Sequence, residues 1–104
     1  MIQANEPITK PQLVREEYGG ETYEYYPLGE YVVVAPGVCG GRPTFKYTRL
    51  EASMVLAMLE RGDSPETIIK EYAPSALTRD AIAEVIRLAH HAFLESARPL
   101  TLAI

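Results

Sequence analysis

Apolar and polar positions change their period near residue 48. Upstream of that point, the stretch "ETYEYYPLGEYVVVAP" carries two β-prone runs, Thr22 to Tyr26 and Tyr31 to Val34. Aromatic and β-branched residues favour strands, and the intervening Pro27-Leu28-Gly29-Glu30 has turn chemistry. The pattern predicts a short β-hairpin over 21–36. A lone hairpin is marginal in water, so this one must pack on helices or on a second chain. Residues 1–20 are polar, with Pro7, Pro11, Gly19 and Gly20. They read as an N-terminal arm, with room for a short helix between Pro11 and Tyr18.

Downstream the spacing is helical. Thr48 and Glu51 form a capping-box pattern, so Thr48 is expected to cap a first helix with an apolar stripe of Met54, Val55, Met58 and Leu59. Gly62 stops it. Ser64, Pro65 and Glu66 open a second helix: a capping serine, a first-turn proline and an acid near the positive helix end. Its stripe is Pro65, Ile68, Ile69 and Tyr72. Thr78 can cap a third, longer helix with a stripe of Ile82, Val85, Ile86, Ala89 and Phe93. The expected fold is mainly α: a three-helix, helix-turn-helix bundle over 37–96, preceded by the arm and the hairpin and followed by a tail, 97–104.

A chain of 104 residues fits one small domain, and 47% apolar residues exclude wholesale disorder. The net charge of -4 gives no general attraction to nucleic acid, so any such contact must use a local basic patch. Cys39 is the single cysteine, so no internal disulfide can form, which fits a reducing compartment. No run approaches the roughly 18 apolar residues of a membrane helix. The N-terminal residues lack an apolar signal core. A soluble cytoplasmic protein with no membrane contact is the expectation.

One local patch stands out. Between Tyr31 and Leu50 lie Arg42, Lys46 and Arg49 and no acid. In an extended segment, Arg42, Thr44, Lys46 and Thr48 share one face, and Phe45 and Tyr47 the other. The strip can contact phosphates. The stronger reading is a lead-in that buries Phe45 and ties Arg49 to a nearby acid, because three cations supply only a weak salt-dependent attraction. On the third helix, Arg79 lies in the first turn, where recognition helices meet base edges. The outer face there carries Asp80, Glu84, Arg87, His91 and Glu95, a mixture that reads as a solvated, ion-paired face. His90 and His91 point about 100° apart and cannot share a metal. No nucleophile–base set accompanies Cys39. No metal, cofactor or catalytic residue is expected, and the protein is not expected to be an enzyme.

The segment "GGRPTFKYTRLEASMVLAMLERGDSPETIIKEY", followed by "LTRDAIAEVIRLA", resembles the bacterial domain of unknown function family numbered 433. The pattern falls on Gly41, Arg42, Pro43, Thr48, Arg49, Gly62, Ser64, Tyr72, Leu77, Thr78 and Ile82. Two positions depart from it. The family usually has glycine before Thr-Arg, where this chain has Tyr47, and the turn between Tyr72 and Leu77 is longer here. The resemblance implies a homeodomain-like three-helix DNA binder, and members that look like antitoxins imply a cognate toxin protein as partner. The nucleic-acid-binding candidates are then Arg42, Lys46, Arg49 and Arg79.

A homodimer is expected as well. Ala81, Leu88 and Ala92 widen the third helix's apolar stripe, and Tyr23, Tyr25, Tyr26 and Tyr31 give the hairpin interface chemistry. Two functions stay open at this point: a nucleic-acid-binding, antitoxin-like regulator, or a dimeric protein-interaction module that binds no DNA.

Overall fold

A computed structural model describes residues 12–73, 75 and 77–103, and the side chains of 98–103 lie outside the description. Contacts divide the chain into two units, Met1–Glu51 and Ala52–Ile104.

The first unit is a sheet. Strands β1 (Val14–Tyr18), β2 (Glu21–Pro27), β3 (Val32–Val34) and β4 (Thr44–Phe45) run antiparallel in the order β1-β2-β3-β4. The two β-prone runs pair as expected, with Tyr26 opposite Val34 and Pro27 opposite Val33. The expectation of a mainly α chain with only a short hairpin is overturned by β1 and β4. Residues 14–18, assigned to an arm with a helix, are a strand instead. Pro11 and residues before it lie outside the described residues. Two physical causes are visible. Val14, Glu16 and Tyr18 alternate with Arg15 and Glu17, a period of two. Gly19 and Gly20 both take positive φ, 62° and 84°, as a two-residue turn of the hairpin-forming type demands. β1 then pairs along its whole length, from Val14 opposite Tyr25 to Tyr18 opposite Glu21. Tyr25, Val33 and Ala35 form a buried cluster, and Val14, Tyr23 and Val38 pack against it.

The second unit holds three mutually contacting helices: α1 (Ala52–Glu60), α2 (Pro65–Glu71) and α3 (Arg79–Ala103). The stop and start signals between α1 and α2 work as the sequence implies. The Asp63 N–H bonds to the Met58 carbonyl and the Gly62 N–H to the Leu59 carbonyl, with Gly62 at φ 103°. That pair of bonds is the Schellman arrangement. The Ser64 hydroxyl oxygen accepts from the Thr67 N–H at 3.1 Å, and Thr78 Oγ1 accepts from the Ala81 N–H at 3.1 Å.

Four local expectations fail. Thr48 does not cap α1, which starts at Ala52; its hydroxyl donates to the Phe45 carbonyl and accepts from the Leu50 N–H, closing a turn instead. Met54 is exposed, because α1 buries Ala52, Val55 and Met58. The stripe on α3 is rotated: Ala81, Ile82, Glu84 and Val85 are buried, whereas Ile86 and Phe93 are exposed. Glu84 therefore does not belong to a solvated face. The residues after Ser96 are helical as far as Ala103, where a tail was expected. No helix among the described residues is long and apolar enough to cross a membrane.

Candidate functional site

The alternation of β1 and β2 puts Val14, Glu16, Tyr18, Tyr23 and Tyr25 on one face of the sheet. Diagonal neighbours on such a face are within reach of long side chains. Accordingly, the Tyr25 hydroxyl donates to Glu16 Oε2 at 2.7 Å. Tyr47 comes from the other end of the unit. Its hydroxyl donates to Glu16 Oε1 at 2.5 Å, and its backbone N–H donates to the Tyr23 hydroxyl at 3.0 Å. Its ring lies on Tyr18, with centroids 4.2 Å apart and planes 11° from parallel. Lys46 Nζ stands 5.0 Å from the Tyr25 ring centroid, 5.2 Å from that of Tyr47 and 4.0 Å from Glu16 Oε2.

The result is a polar clasp under an aromatic surface. Two phenol donors, Tyr47 first, and the Lys46 ammonium hold the Glu16 carboxyl below its ordinary value. The same contact with Glu16 raises the Tyr47 phenol. A carboxylate stabilised as an anion by three groups is a poor proton acceptor at neutral pH, so the cluster has the chemistry of a fixed surface rather than of a general base. Tyr18 is 52% exposed and Tyr47 38%, so the stacked pair faces outward while the Tyr47 hydroxyl and backbone N–H are tied to Glu16 and Tyr23.

The turn that delivers Tyr47 runs from Phe45 to Thr48 and is closed by the Thr48 N–H on the Phe45 carbonyl at 3.0 Å. Tyr47 is its third residue and has φ 67°, the left-handed conformation that glycine takes in type II turns. That is the position where the family resembled above usually has glycine.

The four cations singled out in the sequence have different fates. Arg42 forms a two-pronged pair with Glu51, both bonds 3.0 Å long. The guanidinium lowers the Glu51 carboxyl, and Glu51 raises Arg42. Lys46 is held by Glu16 and the rings. In the second unit, Arg79 pairs with Glu66. Of these four, only Arg49 has no ion pair among the described residues; it is exposed at the edge of a depression lined by Glu21, Thr22, Tyr23, Glu24, Pro36, Gly37, Val38 and Arg49 itself. Thus 41–49 is not one extended strip: Thr44 and Phe45 are buried in β4, and the chain turns at once. Cys39 is half-buried, and its thiol donates to the Arg49 carbonyl at 3.3 Å. No group of three or more His, Cys, Asp or Glu side chains among the described residues could hold a metal ion.

Sequence reasoning missed Glu16, Tyr18 and the role of Tyr47. The first two lay in a segment assigned to an arm. Their signal was the period-two alternation of Val14, Glu16 and Tyr18.

Comparison with protein families gives a match over residues 32–89 to DUF433, described as Protein of unknown function. The match begins at β3, so β1 and β2, and with them Glu16, Tyr18, Tyr23 and Tyr25, precede it. No curated protein and no solved structure matches the chain.

Proposed function

The chain belongs to the DUF433 family, and for this member we propose a protein-binding role: a small antitoxin-like regulator that docks a partner protein on the tyrosine face of its sheet. The observation that carries this is the outward-facing Tyr18–Tyr47 stack, fixed from below by Glu16 and Tyr23. Rigid tyrosines supply large contact area at low cost in side-chain entropy, and they are enriched at interface hot spots. The edge of this face beside Tyr18 is acidic, where Glu21 is exposed opposite it in the register. A partner with a basic contact surface complements it, its cationic side chains lying on the rings as Lys46 already does from within.

The alternative, DNA binding through the 41–49 strip, has less support. Arg42 and Lys46 are closed on acids of the same unit, and the overall charge is negative. Only Arg49 remains to meet a phosphate there, and one neutralised phosphate gives a salt slope of about one.

Two measurements decide the matter. Calorimetric titration with the protein encoded by the adjacent gene is expected to show binding that weakens at least about tenfold in Tyr18→Ser, the range of an interface hot spot. Retention of random duplex DNA at ~50 mM salt, where nonspecific contacts are strong, is expected to be absent. Retention that is steep in salt and falls in Arg49→Ala would replace the protein-binding role with the nucleic-acid one.

A further inference from the structure

Helix α3 has 25 residues, against nine in α1 and seven in α2. At 1.5 Å per residue it is about 38 Å long, and its two companions are about 14 and 11 Å. They can flank only part of it. Burial follows suit: Ala81, Ile82 and Val85 are buried, whereas every side chain from His90 to Ser96 is exposed. Phe93, 65% exposed, and Leu94, 50% exposed, stand on this overhang. Large apolar side chains this open on a helix need a cover.

The spacing on α3 says what kind. Ala83, Ile86, His90, Phe93 and Ala97 follow one another at intervals of 3, 4, 3 and 4, a coiled-coil seam of two heptads. Leu100 continues it in sequence. Ile86 is 46% exposed, so the seam is open at its start as well as on the overhang. The start of the seam also borders a depression of about 290 Å³, lined by Pro65, Arg79, Asp80, Ile82, Ala83 and Ile86. Its floor is apolar, and its charged rim includes Arg79, which is already paired with Glu66. An apolar cavity of roughly 150 Å³ takes benzene, so a phenyl ring fits here.

We propose that α3 pairs antiparallel with α3 of a second copy, the Phe93 ring of each chain seating in the depression beside Ala83 and Ile86 of the other. Knob and hole lie on one face of one helix, so a two-fold axis between them satisfies both at once, as an isologous interface requires. A second copy supplies both the knob and the hole. The surface is separate from the tyrosine face and does not depend on it. The dimer expected from Ala81, Leu88 and Ala92 thus acquires a different seam, because Ala81 is buried and Ile86 and Phe93 are open instead.

Light scattering coupled to size exclusion tests this on the full chain at about 1 to 100 µM. Wild type is expected to have twice the mass of 11.6 kDa. Phe93→Glu is expected to run at the single mass with an unchanged circular-dichroism spectrum. A geometric check uses a Cys39→Ser background in which Ala83→Cys chains are mixed with Phe93→Cys chains; a mixed disulfide should form on mild oxidation and should not form in a mixture of Ala83→Cys with Leu28→Cys chains. A wild-type monomer throughout that range, or a dimer untouched by Phe93→Glu, overturns the proposal.

Discussion

Tyr47 lies flat on Tyr18 at 4.2 Å while its own backbone is left-handed, at φ 67°. The side chain thus sits where the backbone disfavours having one. Side-chain contacts and backbone strain act in opposite directions at one residue, and substitutions can separate them.

Tyr47→Ala is expected to lose the stack and the bond to Glu16 while keeping the unfavourable conformation. Tyr47→Gly loses the same contacts but relieves the backbone. The glycine variant should therefore be the more stable of the two by roughly 1 kcal/mol, the scale of the left-handed penalty for a residue with a Cβ. Denaturant unfolding of both variants checks this, and an alanine variant equal to the glycine one would remove strain from the account.

The Glu16 clasp makes stability depend on acid. The folded-state value of Glu16 is depressed below the ordinary 4.5, chiefly by the Tyr47 hydroxyl and then by Tyr25. The unfolded chain then binds the proton more readily than the folded one. The contribution is complete above the ordinary value and is lost as pH falls through the lowered one. Glu16→Gln, which cannot titrate, should show a shallower loss of stability than wild type between about pH 5 and pH 3. Parallel curves for the two proteins would mean that the clasp contributes nothing to the acid response. Glu51, depressed by Arg42, titrates in the same sense in both and cancels from the comparison.

Thr44 is fully buried, and its hydroxyl has no hydrogen-bond partner among the described residues. An unsatisfied buried hydroxyl costs about 1–3 kcal/mol. Valine has nearly the same shape and no polar atom, so Thr44→Val should raise stability by about 1 kcal/mol. Thr44→Ser keeps the hydroxyl, loses a methyl and should fall below wild type. A stability loss in the valine variant would show that the hydroxyl has a partner in solution, such as a bound water.

In the second unit, the junction between α1 and α2 is set by Gly62 and Ser64. Alanine at 62 meets no neighbouring atom but inherits φ 103°. Gly62→Ala should cost about 1 kcal/mol through the backbone alone, and Ser64→Ala about 1 kcal/mol through the lost cap. Thermal melts followed by circular dichroism suffice, and an unchanged midpoint in Gly62→Ala would mean the junction refolds around the new residue.

What the sequence disclosed was local. Gly62, Ser64 and Thr78 act on groups within five residues of themselves, and each behaves as its residue type suggests. The β2–β3 pair was legible for the same reason: two β-prone runs with a turn between them. The misses were of longer range. β4 is two residues long and exists by virtue of its pairing with β3, so it has no periodicity to detect. Arg42 and Lys46 had no acid nearby in sequence, yet Glu51 lies nine positions from the first and Glu16 thirty positions from the second in the folded chain. The rotation of the α3 stripe had a further cause. Ile86 and Phe93 were counted as core because apolar spacing marks a helix face without saying what covers it.

Tyr47 lies inside the family match, whereas its partners Glu16, Tyr18 and Tyr23 lie upstream of it. The Tyr47 side chain is thus the fastener between the segment that the family model covers and the one upstream of it. That has an evolutionary corollary. An upstream hairpin and the loss of glycine from the turn are therefore expected to go together, since each without the other leaves either an unanchored hairpin or a strained turn with nothing to offset it. Family members with an upstream hairpin should carry an aromatic residue before Thr-Arg, and members without one should keep glycine. An alignment in which the two characters segregate independently would show that the fastener was an accident of this lineage.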